Sequence, residues 1–448
     1  MYHLDENQTV AHFFPLKSSW KKKLSPVEHF FSCLFPSGGL CFKGKINVKR
    51  FLDAMQIALE SFDLLFCQIY KDQDDLYARY SSDSKVGSFI QLELDTKDET
   101  INAITFPSIL PYKVDERITR GVADQLEGLP MCAFRLTQLT DGFVIGYYIN
   151  HTFLDQSSTT YFFKYLSHLY TYGKDNLILQ KPYLIDSEFL ETRYDRAFES
   201  AEDLREYGET LMGFKYTPKK EDNSALLPQF DTKITVNLNF DLNEINKLKY
   251  LSKQYVSAND IIQAVLLKIY SFNPNLALDD DFCLGFPCNM RKRCGLGEES
   301  IGNFISHPRI LLKIDEIRKS TILELAIISR KCISDVDVDY FRKNLIWYKG
   351  FKKNQENAID YMPIFSFLNC RATNWSTFNY DDIIFDNSRP LELKTPCYAR
   401  FGVNVIAFDN KEGEKILKTS VCVAANYLGS LIKLGNTSSL FVCNEVCT

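Results

Sequence analysis

The sequence predicts an α/β fold that is divided into two domains. The chain has 448 residues, and because a single hydrophobic core stops growing at about 250–300 residues, two cores are expected. Hydrophobic residues make up 45% of the chain and aromatic residues 14%, which excludes general disorder. Helical apolar stripes alternate with short strand patterns along the chain, as they do in layered α/β proteins.

The N-terminal half begins this alternation. Apolar residues recur at helical spacing from Val48 to Phe62, which predicts a helix. Short apolar runs bounded by turn residues predict the strands that follow, namely Leu64–Tyr70, Phe89–Leu94, Met131–Leu139 and Phe143–Ile149. A second helical stripe covers Ser157–Tyr172, and Asp155, Ser157 and Ser158 are each able to cap its start.

An acid-rich stretch from Asp186 to Leu211 interrupts the alternation. Nine carboxylate residues spaced along this stretch predict a solvated helix that runs between domains. The predicted organisation is therefore an N-terminal domain of residues 1–185, a crossover segment of residues 186–214 and a C-terminal domain of residues 215–448.

The C-terminal half continues with helices and strands and then becomes mainly extended. Periodicity predicts helices at Leu242–Ser252, Asn259–Tyr270 and Ser320–Ser334. Strand patterns occupy Phe230–Phe240, Phe282–Pro287, Ile364–Arg371, Tyr398–Ala407 and Leu417–Leu428. No repeat of short fixed period is present in the sequence.

Charge and composition limit the kinds of molecule that the protein is expected to bind and the place where it is expected to act. A net charge of −5 does not favour nucleic-acid binding, which usually requires a strongly basic face, so small molecules are the expected partners. The chain has no apolar run of about 18 residues and no basic, apolar leader, so no membrane span and a cytoplasmic location are predicted. Its 13 cysteines form no C-x-x-C pair, which fits reduced thiols, and its 6 histidines show no metal-binding spacing.

One short stretch of the sequence contains a candidate catalytic residue. His151 and Asp155 lie four positions apart, immediately after the apolar run that ends at Ile149 and before the predicted helix. A neutral imidazole, with an ordinary pKa of about 6.5, is able to take a proton from a hydroxyl group near neutral pH. His151 is therefore a candidate general base, with a half-buried structural histidine and an N-cap aspartate as the alternative for the pair.

Five stretches resemble motifs of the BAHD acyl-CoA-dependent acyltransferases, and they occur in that family's order. His151 to Asp155 resembles its HxxxD signature, and Leu24-Ser25-Pro26-Val27-Glu28 is similar to its LSPxD/E opening. Ser257 to Ile262 resembles the STNDxL helix start, and Asn289 to Arg293 with Gly302-Asn303 resembles N-x-R-x-R followed by G-N. Thr373-Asn374-Trp375 is similar to a T-S-W element, with Tyr380 to Pro390 in the place of DFGWGKP. The resemblance thus spans most of the chain.

This resemblance implies a more specific fold and function. The fold would pair two chloramphenicol-acetyltransferase-like domains, each a mixed β-sheet with flanking helices, with the active site in a channel at the domain interface. A monomer would move an acyl group from acyl-CoA, a co-substrate rather than a bound cofactor, to a hydroxyl or amine of a small molecule. His151 would act as the base without an acyl-enzyme.

The resemblance also suggests roles for individual residues. Trp375 would stabilise the oxyanion through its indole N–H and Thr373 would position the acceptor, although a core aromatic is the alternative for Trp375. Asp155 would order the loop by pairing with Arg291, or with Arg293 as the second choice, because a guanidinium holds a carboxylate by two hydrogen bonds. Candidate CoA contacts are Arg291, Arg293, Asn303 and Ser25, with Lys21, Lys22, Lys23, Lys352 and Lys353 as further phosphate contacts.

Two departures from the family pattern keep other functions open. Gln156 stands where the family commonly has a small residue, and residues 384–390 keep only Phe385 and Pro390 of DFGWGKP, with Arg389 replacing its lysine. A BAHD-like binding or scaffold protein without catalysis is one alternative. A peptide-synthetase condensation domain is another, although its motif has a second histidine where Asn150 stands and a glycine where Gln156 stands.

Overall fold

The fold is given by a computed structural model that describes residues 2–15, 19–73, 75–81, 89–119, 127–185, 202–203, 206, 215–218, 233–273, 276–356, 361–364, 369–397, 403–411 and 413–447. The described strands are β1 (Tyr2–Leu4), β2 (Val10–Phe13), β3 (Ser19–Lys23), β4 (Ser37–Lys43), β5 (Gln68–Asp72), β6 (Asp75–Ser81), β7 (Ile90–Thr96), β8 (Cys132–Gln138), β9 (Gly142–Ile149), β10 (Tyr183–Leu184), β11 (Lys215–Pro218), β12 (Lys233–Phe240), β13 (Asp281–Gly285), β14 (Cys288–Asn289), β15 (Ser300–Ile301), β16 (Ile305–Ser306), β17 (Arg309–Lys313), β18 (Tyr361–Ile364), β19 (Asn369–Asn374), β20 (Glu392–Lys394), β21 (Val403–Lys411), β22 (Glu414–Ala424) and β23 (Phe441–Cys447).

Helices connect these strands. The described α-helices are α1 (Pro26–Phe31), α2 (Val48–Ser61), α3 (Phe106–Ile109), α4 (Glu116–Thr119), α5 (Gln156–Tyr172), α6 (Leu242–Leu251), α7 (Ala258–Ser271), α8 (Ile314–Lys319), α9 (Ile322–Ser334), α10 (Val338–Glu356) and α11 (Leu428–Ser438). Short 3₁₀ helices cover Asp63–Phe66, Lys174–Asn176, Lys292–Cys294, Tyr380–Asp382 and Ala425–Tyr427.

The chain forms two compact units, and neither is a single continuous segment. The first unit contains Met1–Tyr194, Arg291–Phe304 and Phe378–Pro396, and the second contains Asp195–Met290, Ile305–Thr377 and Cys397–Thr448. The return of residues 291–304 and 378–396 to the first unit is a feature that the sequence pattern did not show. The boundaries placed at 185 and 214 stay a prediction, because residues 186–201 and 207–214 lie outside the described residues.

The first unit is built on a mixed sheet with the strand order β1-β2-β7-β8-β9-β4-β20. Only the β7–β8 pair is parallel within this order. Every residue of β9 is buried, which explains its almost wholly apolar sequence. A Cβ atom on Gly146 would lie 1.9 Å from the carbonyl oxygen of Ile109, so this strand position requires glycine.

Helix α5 follows β9 and packs against α2. Its buried stripe includes Phe162, Tyr165 and Leu169, which confirms the predicted helical spacing. Phe162 lies edge-on to Phe62, with ring centroids 5.1 Å apart, at the end of the confirmed helix α2. These contacts hold α5 against α2.

The strands of the second unit pair in the order β17-β13-β19-β21-β22-β12-β23. The pairs β13–β19 and β19–β21 are parallel, and the other pairs are antiparallel. Helix α7 packs against α9 and begins with a capping box between Ser257 and Asp260. The predicted helices of this half are confirmed to within two residues at each end.

Four predicted strands differ from the structure. The stretch predicted as one strand, Ile364–Arg371, contains the last residue of β18 and the first residues of β19, and residues 365–368 between them lie outside the described part. Residues 63–66 form a 3₁₀ helix before β5 begins at Gln68, because a short buried apolar run does not distinguish strand from helix. Strand β22 ends at Ala424, and the chain then becomes helical instead of extended to Leu428. Strand β21 continues to Lys411, beyond the predicted end at Ala407, while residues 398–402 lie outside the described part.

Candidate active site

The corner after β9 is held by backbone and side-chain hydrogen bonds within the first unit. The amide of Asn150 donates to the carbonyl of Met131 at 2.6 Å, and the amide of His151 donates to the carbonyl of Leu34 at 2.8 Å. The Asn150 side chain donates to the carbonyl of Ser32 at 2.7 Å and accepts from the amide of Thr152 at 2.8 Å. An asparagine that crosslinks this corner explains the polar residue at the end of an apolar strand.

His151 is partly exposed and has one buried ring nitrogen. Nδ1 is buried, and the ring stacks on Phe31 of α1 with centroids 4.6 Å apart and planes 20° apart. Burial lowers the pKa of His151 below its ordinary 6.5, and the residue's own carbonyl, the charge of Asp155 and Asn303 oppose that shift. The imidazole is therefore neutral near pH 7, which is the state that a proton acceptor needs.

Asp155 forms a buried two-bond ion pair with Arg291. Arg291 Nη1 lies 2.7 Å from Oδ2 and Nη2 lies 3.0 Å from Oδ1, and both side chains are at most 4% exposed. Asp155 also caps α5, because Oδ1 accepts from the amide of Ser158 at 2.9 Å. Although burial alone would raise it, Arg291 and Ser158 hold the pKa of Asp155 below its usual value.

Arg291 joins the corner to residues 300–302. Its Nε donates to the carbonyl of Ser300 at 2.7 Å, and Nη2 donates to the carbonyl of Gly302 at 2.8 Å. Gly302 has φ of 145°, a conformation that favours glycine, and its amide also donates to the Ser158 hydroxyl at 3.2 Å. The pairing of Asp155 with Arg291 that the sequence predicted is confirmed, and a fixed network surrounds it.

Asn303 ties the same segment directly to the histidine. Its side-chain amide donates to the carbonyl of His151 at 2.7 Å and to the carbonyl of Thr152 at 2.6 Å. Two hydrogen bonds to consecutive carbonyls restrict the backbone at His151, and this restriction limits the positions of the imidazole. Asn303 is 4% exposed and is thus a supporting residue of the corner.

Gln156, the first departure from the family pattern, has a specific partner. Its Nε2 donates to the hydroxyl of Tyr380 at 3.0 Å, and Tyr380 is 5% exposed. Further along α5, Lys164 pairs with Asp382 at 2.7 Å and the Thr171 hydroxyl donates to the carbonyl of Ile384 at 2.9 Å. The segment that replaces DFGWG is thus held along α5, the helix that follows His151.

The segment of residues 384–390, the second departure, keeps its phenylalanine in the hydrophobic core. Phe385 is fully buried and lies edge-on to Phe42 of β4, with ring centroids 5.2 Å apart. The next residue, Asp386, accepts from the Arg50 guanidinium and from the Tyr170 hydroxyl. The buried Phe385 and the contacts of Asp386 therefore hold this segment, although it lacks the glycine and tryptophan residues of the family motif.

Thr373 and Trp375 belong to the second unit. Thr373 is partly buried on β19, and Trp375 follows that strand with 7% exposure and an amide that donates to the carbonyl of Ile406 at 2.9 Å. Between them, the Asn374 side chain donates to Oδ1 of Asn259 at 2.9 Å. The predicted roles of Thr373 and Trp375 in catalysis stay predictions.

The remaining predicted site residues differ in their surroundings. Ser25 is 3% exposed and caps α1 in a capping box with Glu28, while Arg293 is exposed in the 3₁₀ helix Lys292–Cys294. Sequence reasoning did not identify Phe31, which stacks on His151. Its position three residues after the LSPxE-like motif was the signal that could have indicated it.

The fold of the chain is similar to that of several solved structures. F. graminearum TRI101, crystallised with coenzyme A and T-2 mycotoxin, shares 11% identity, with 95% of this chain and 99% of that chain covered and a TM-score of 0.70. Vinorine synthase shares 13% identity, with 97% and 98% covered and a TM-score of 0.62. Polyketide synthase associated protein 5 of Mycobacterium tuberculosis shares 16% identity, with 92% and 96% covered and a TM-score of 0.57.

These similarities and the mixed sheets define the class as the two-domain BAHD acyltransferase fold. The model of the family described as the transferase family matches residues 93–430, which is most of the chain. The chain belongs to this family, whose BAHD-type members are acyl-CoA-dependent acyltransferases. No curated protein is significantly similar to it in sequence.

The described residues contain neither a candidate membrane span nor a candidate metal cluster. None of the helices in the described part is long and apolar enough to cross a membrane. Nor do three or more histidine, cysteine, aspartate or glutamate side chains come together there in a way that could hold a metal ion. The cytoplasmic location and the monomeric state stay predictions.

Proposed function

We propose that the protein transfers an acyl group from a CoA thioester to a hydroxyl group of a small molecule, with His151 as the general base. The observation that carries this proposal is the His151 corner, in which a partly exposed histidine is held by Asn303 and by the buried Asp155–Arg291 pair. Because Nδ1 is buried, Nε2 is the ring nitrogen that an acceptor could reach.

The reaction follows from this arrangement. Nε2 of His151 takes the proton of the acceptor hydroxyl as its oxygen attacks the thioester carbonyl. The tetrahedral intermediate then expels the CoA sulfur, which takes the proton from the imidazolium, so the products are an ester and free CoA. An amine acceptor would give an amide by the same steps, and neither route forms an acyl-enzyme.

Other residues have supporting roles in this proposal. Asp155 orders the corner and does not touch the reacting atoms, because its carboxylate is buried against Arg291. Arg291 is buried in the same pair, and Asn303 is bonded to the His151 backbone. We therefore assign both residues to the support of the corner and not to CoA binding. Trp375 as oxyanion donor, Thr373 as acceptor contact, and Ser25 and Arg293 as CoA contacts rest on the motif resemblance.

The comparison structures support the choice of substrates. TRI101 was crystallised with coenzyme A together with T-2 mycotoxin or deoxynivalenol, both small molecules. We infer that the present chain likewise takes acyl-CoA and a small-molecule acceptor.

The test is release of free CoA thiol across a panel of acyl-CoAs and small alcohols and amines. His151→Ala should lower turnover about 10²–10⁴-fold, the usual contribution of general base catalysis, with little change in acyl-CoA binding. His168→Ala is a matched control, because His168 lies on α5 and is likewise partly buried. Full activity of His151→Ala would refute the mechanism, and CoA binding without any turnover in the wild type would favour a binding protein.

A further inference from the structure

A cavity of about 370 Å³ lies within the first unit, and its lining includes no residue of the His151 corner. Three chain segments form it: residues 57–66 from α2 and the 3₁₀ helix after it, Tyr165 of α5, and residues 174–181 after α5. This volume lies within the usual range for small-molecule sites, about 300–1,000 Å³.

One part of the lining is apolar and carries a hydroxyl pair. Phe66 and Tyr165 are 2% and 3% exposed, and Ile57 and Leu177 complete the apolar surface. The Tyr165 and Ser61 hydroxyls lie 3.1 Å apart and share a hydrogen bond. The apolar part of a ligand could pack here, and few polar groups would lose water when it does. A mostly apolar lining with a few polar groups is the usual composition of a ligand pocket.

The other part of the lining carries charges of both signs. Glu60 and Asp63 come from the segment 57–66, and Lys174 and Lys181 come from the segment after α5. Among the described residues, no ion pair within 4.0 Å joins these carboxylates to these lysines. Glu60 accepts only a 3.3 Å hydrogen bond from Gln56 on its own helix. Asp63 instead accepts a 3.4 Å hydrogen bond from the Tyr80 hydroxyl. Glu60 and the two lysines therefore offer both signs of charge to a ligand.

Hydrogen bonds order the segment that carries the lysines. The Tyr161 hydroxyl donates to the carbonyl of Gln180 at 2.6 Å, next to Lys181. The Asn176 side chain donates to the carbonyl of Tyr172 at 3.0 Å, and the amide of Leu177 donates to the carbonyl of Lys174 at 3.3 Å. A lining that is ordered before binding loses less conformational entropy when a ligand enters.

We propose that this cavity binds a small zwitterion with an apolar body, of the class of an α-amino acid with an apolar side chain. The ammonium group meets Glu60, the carboxylate meets Lys174 and Lys181, and the side chain packs on Phe66 and Tyr165. Binding is noncovalent and does not depend on the acyl transfer proposed for His151.

The first experiment compares three probes on the full chain by calorimetry or ligand-observed NMR. L-Phenylalanine carries both charges, 3-phenylpropionate lacks the ammonium group and phenethylamine lacks the carboxylate. Because a solvent-exposed ion pair contributes at most about 1 kcal/mol, each missing charge should weaken binding about twofold to fivefold. Equal affinities of the three probes, or no saturable binding of L-phenylalanine, would overturn the proposal.

Two charge variants locate the binding. Glu60→Gln should weaken L-phenylalanine and phenethylamine and leave 3-phenylpropionate unchanged, whereas Lys174→Ala with Lys181→Ala should weaken L-phenylalanine and 3-phenylpropionate. Lys49→Ala is the control, since Lys49 is an exposed lysine of α2 outside the lining. Binding that both charge variants keep in full would lie elsewhere and would refute the site. The His151→Ala variant should retain L-phenylalanine binding, so a failure of this proposal can be distinguished from a failure of the acyl-transfer proposal.

Discussion

Replacing Asp155 by asparagine tests the most deeply buried charge pair of the candidate active site. The asparagine keeps the shape and remains a good helix cap, so Oδ1 would still accept from the amide of Ser158. At the Oδ2 position, however, a side-chain NH₂ would face Nη1 of Arg291, now 2.7 Å away, and the amide of Phe304, now 3.3 Å away. The side-chain NH₂, itself a hydrogen-bond donor, would therefore face two other donors in place of the acceptor they now have.

The magnitude follows from the burial of the pair. Arg291 is 3% exposed, so the substitution leaves a buried charge without its counter-ion, which costs about 3–5 kcal/mol. For a unit of this size the loss corresponds to a fall in melting temperature of about 6–20 °C. Hydrogen exchange at residues 155–159 should accelerate, because the network that holds the start of α5 is disrupted.

A surface pair provides the matched control. Asp339 lies 2.9 Å from Arg342 on α10 and is 59% exposed, so Asp339→Asn should change stability by no more than about 1 kcal/mol. Thermal unfolding, hydrogen exchange and CoA release are measured on both variants. A large loss of activity in Asp155→Asn with an unchanged melting temperature and unchanged exchange would show a direct catalytic role and refute this reasoning.

Two further predictions concern pH and the contact of Gln156. Because burial lowers the pKa of His151, kcat/KM should rise with pH below about 6.5 and be level at neutral pH, whereas a midpoint above 7 in the pH profile would contradict the base assignment. The hydrogen bond from Gln156 to Tyr380 should give a coupling energy of about 0.5–1.5 kcal/mol in a double-mutant cycle of Gln156→Ala and Tyr380→Phe, measured by denaturant unfolding. Additive effects within about 0.3 kcal/mol would show that Gln156 does not hold the segment.

The pH dependence of stability follows from the same two groups. The pKa of Asp155 is lowered in the fold, so its contribution is present above the ordinary value of 3.8 and is lost as the pH falls below it. The pKa of His151 is also lowered, so the unfolded chain binds the proton more tightly below pH 6.5 and stability decreases there. Both groups therefore destabilise the protein on acidification.

Much of the fold could be predicted from sequence because its elements carry local signals. The apolar run before His151 and the helical stripe after it placed β9 and α5 to within one residue at each end. The strand expected at residues 64–70 was partly wrong, since periodicity in so short an apolar run is ambiguous. The assignment of residues 291–304 and 378–396 to the first unit had no local signal at all.

We could predict three features from the amino-acid pattern alone, namely the order of the elements, the capped helix after His151 and, through the ordered motifs, the family. The sequence also indicated Arg291 as the partner of Asp155, but only by resemblance, because 136 positions separate the two residues. Only the folded structure shows that this pair is buried, that Asn303 holds the His151 backbone, and that Phe31 stacks on the imidazole. Burial sets the strength of these interactions and the pKa of His151, and burial depends on contacts between residues that are distant in sequence.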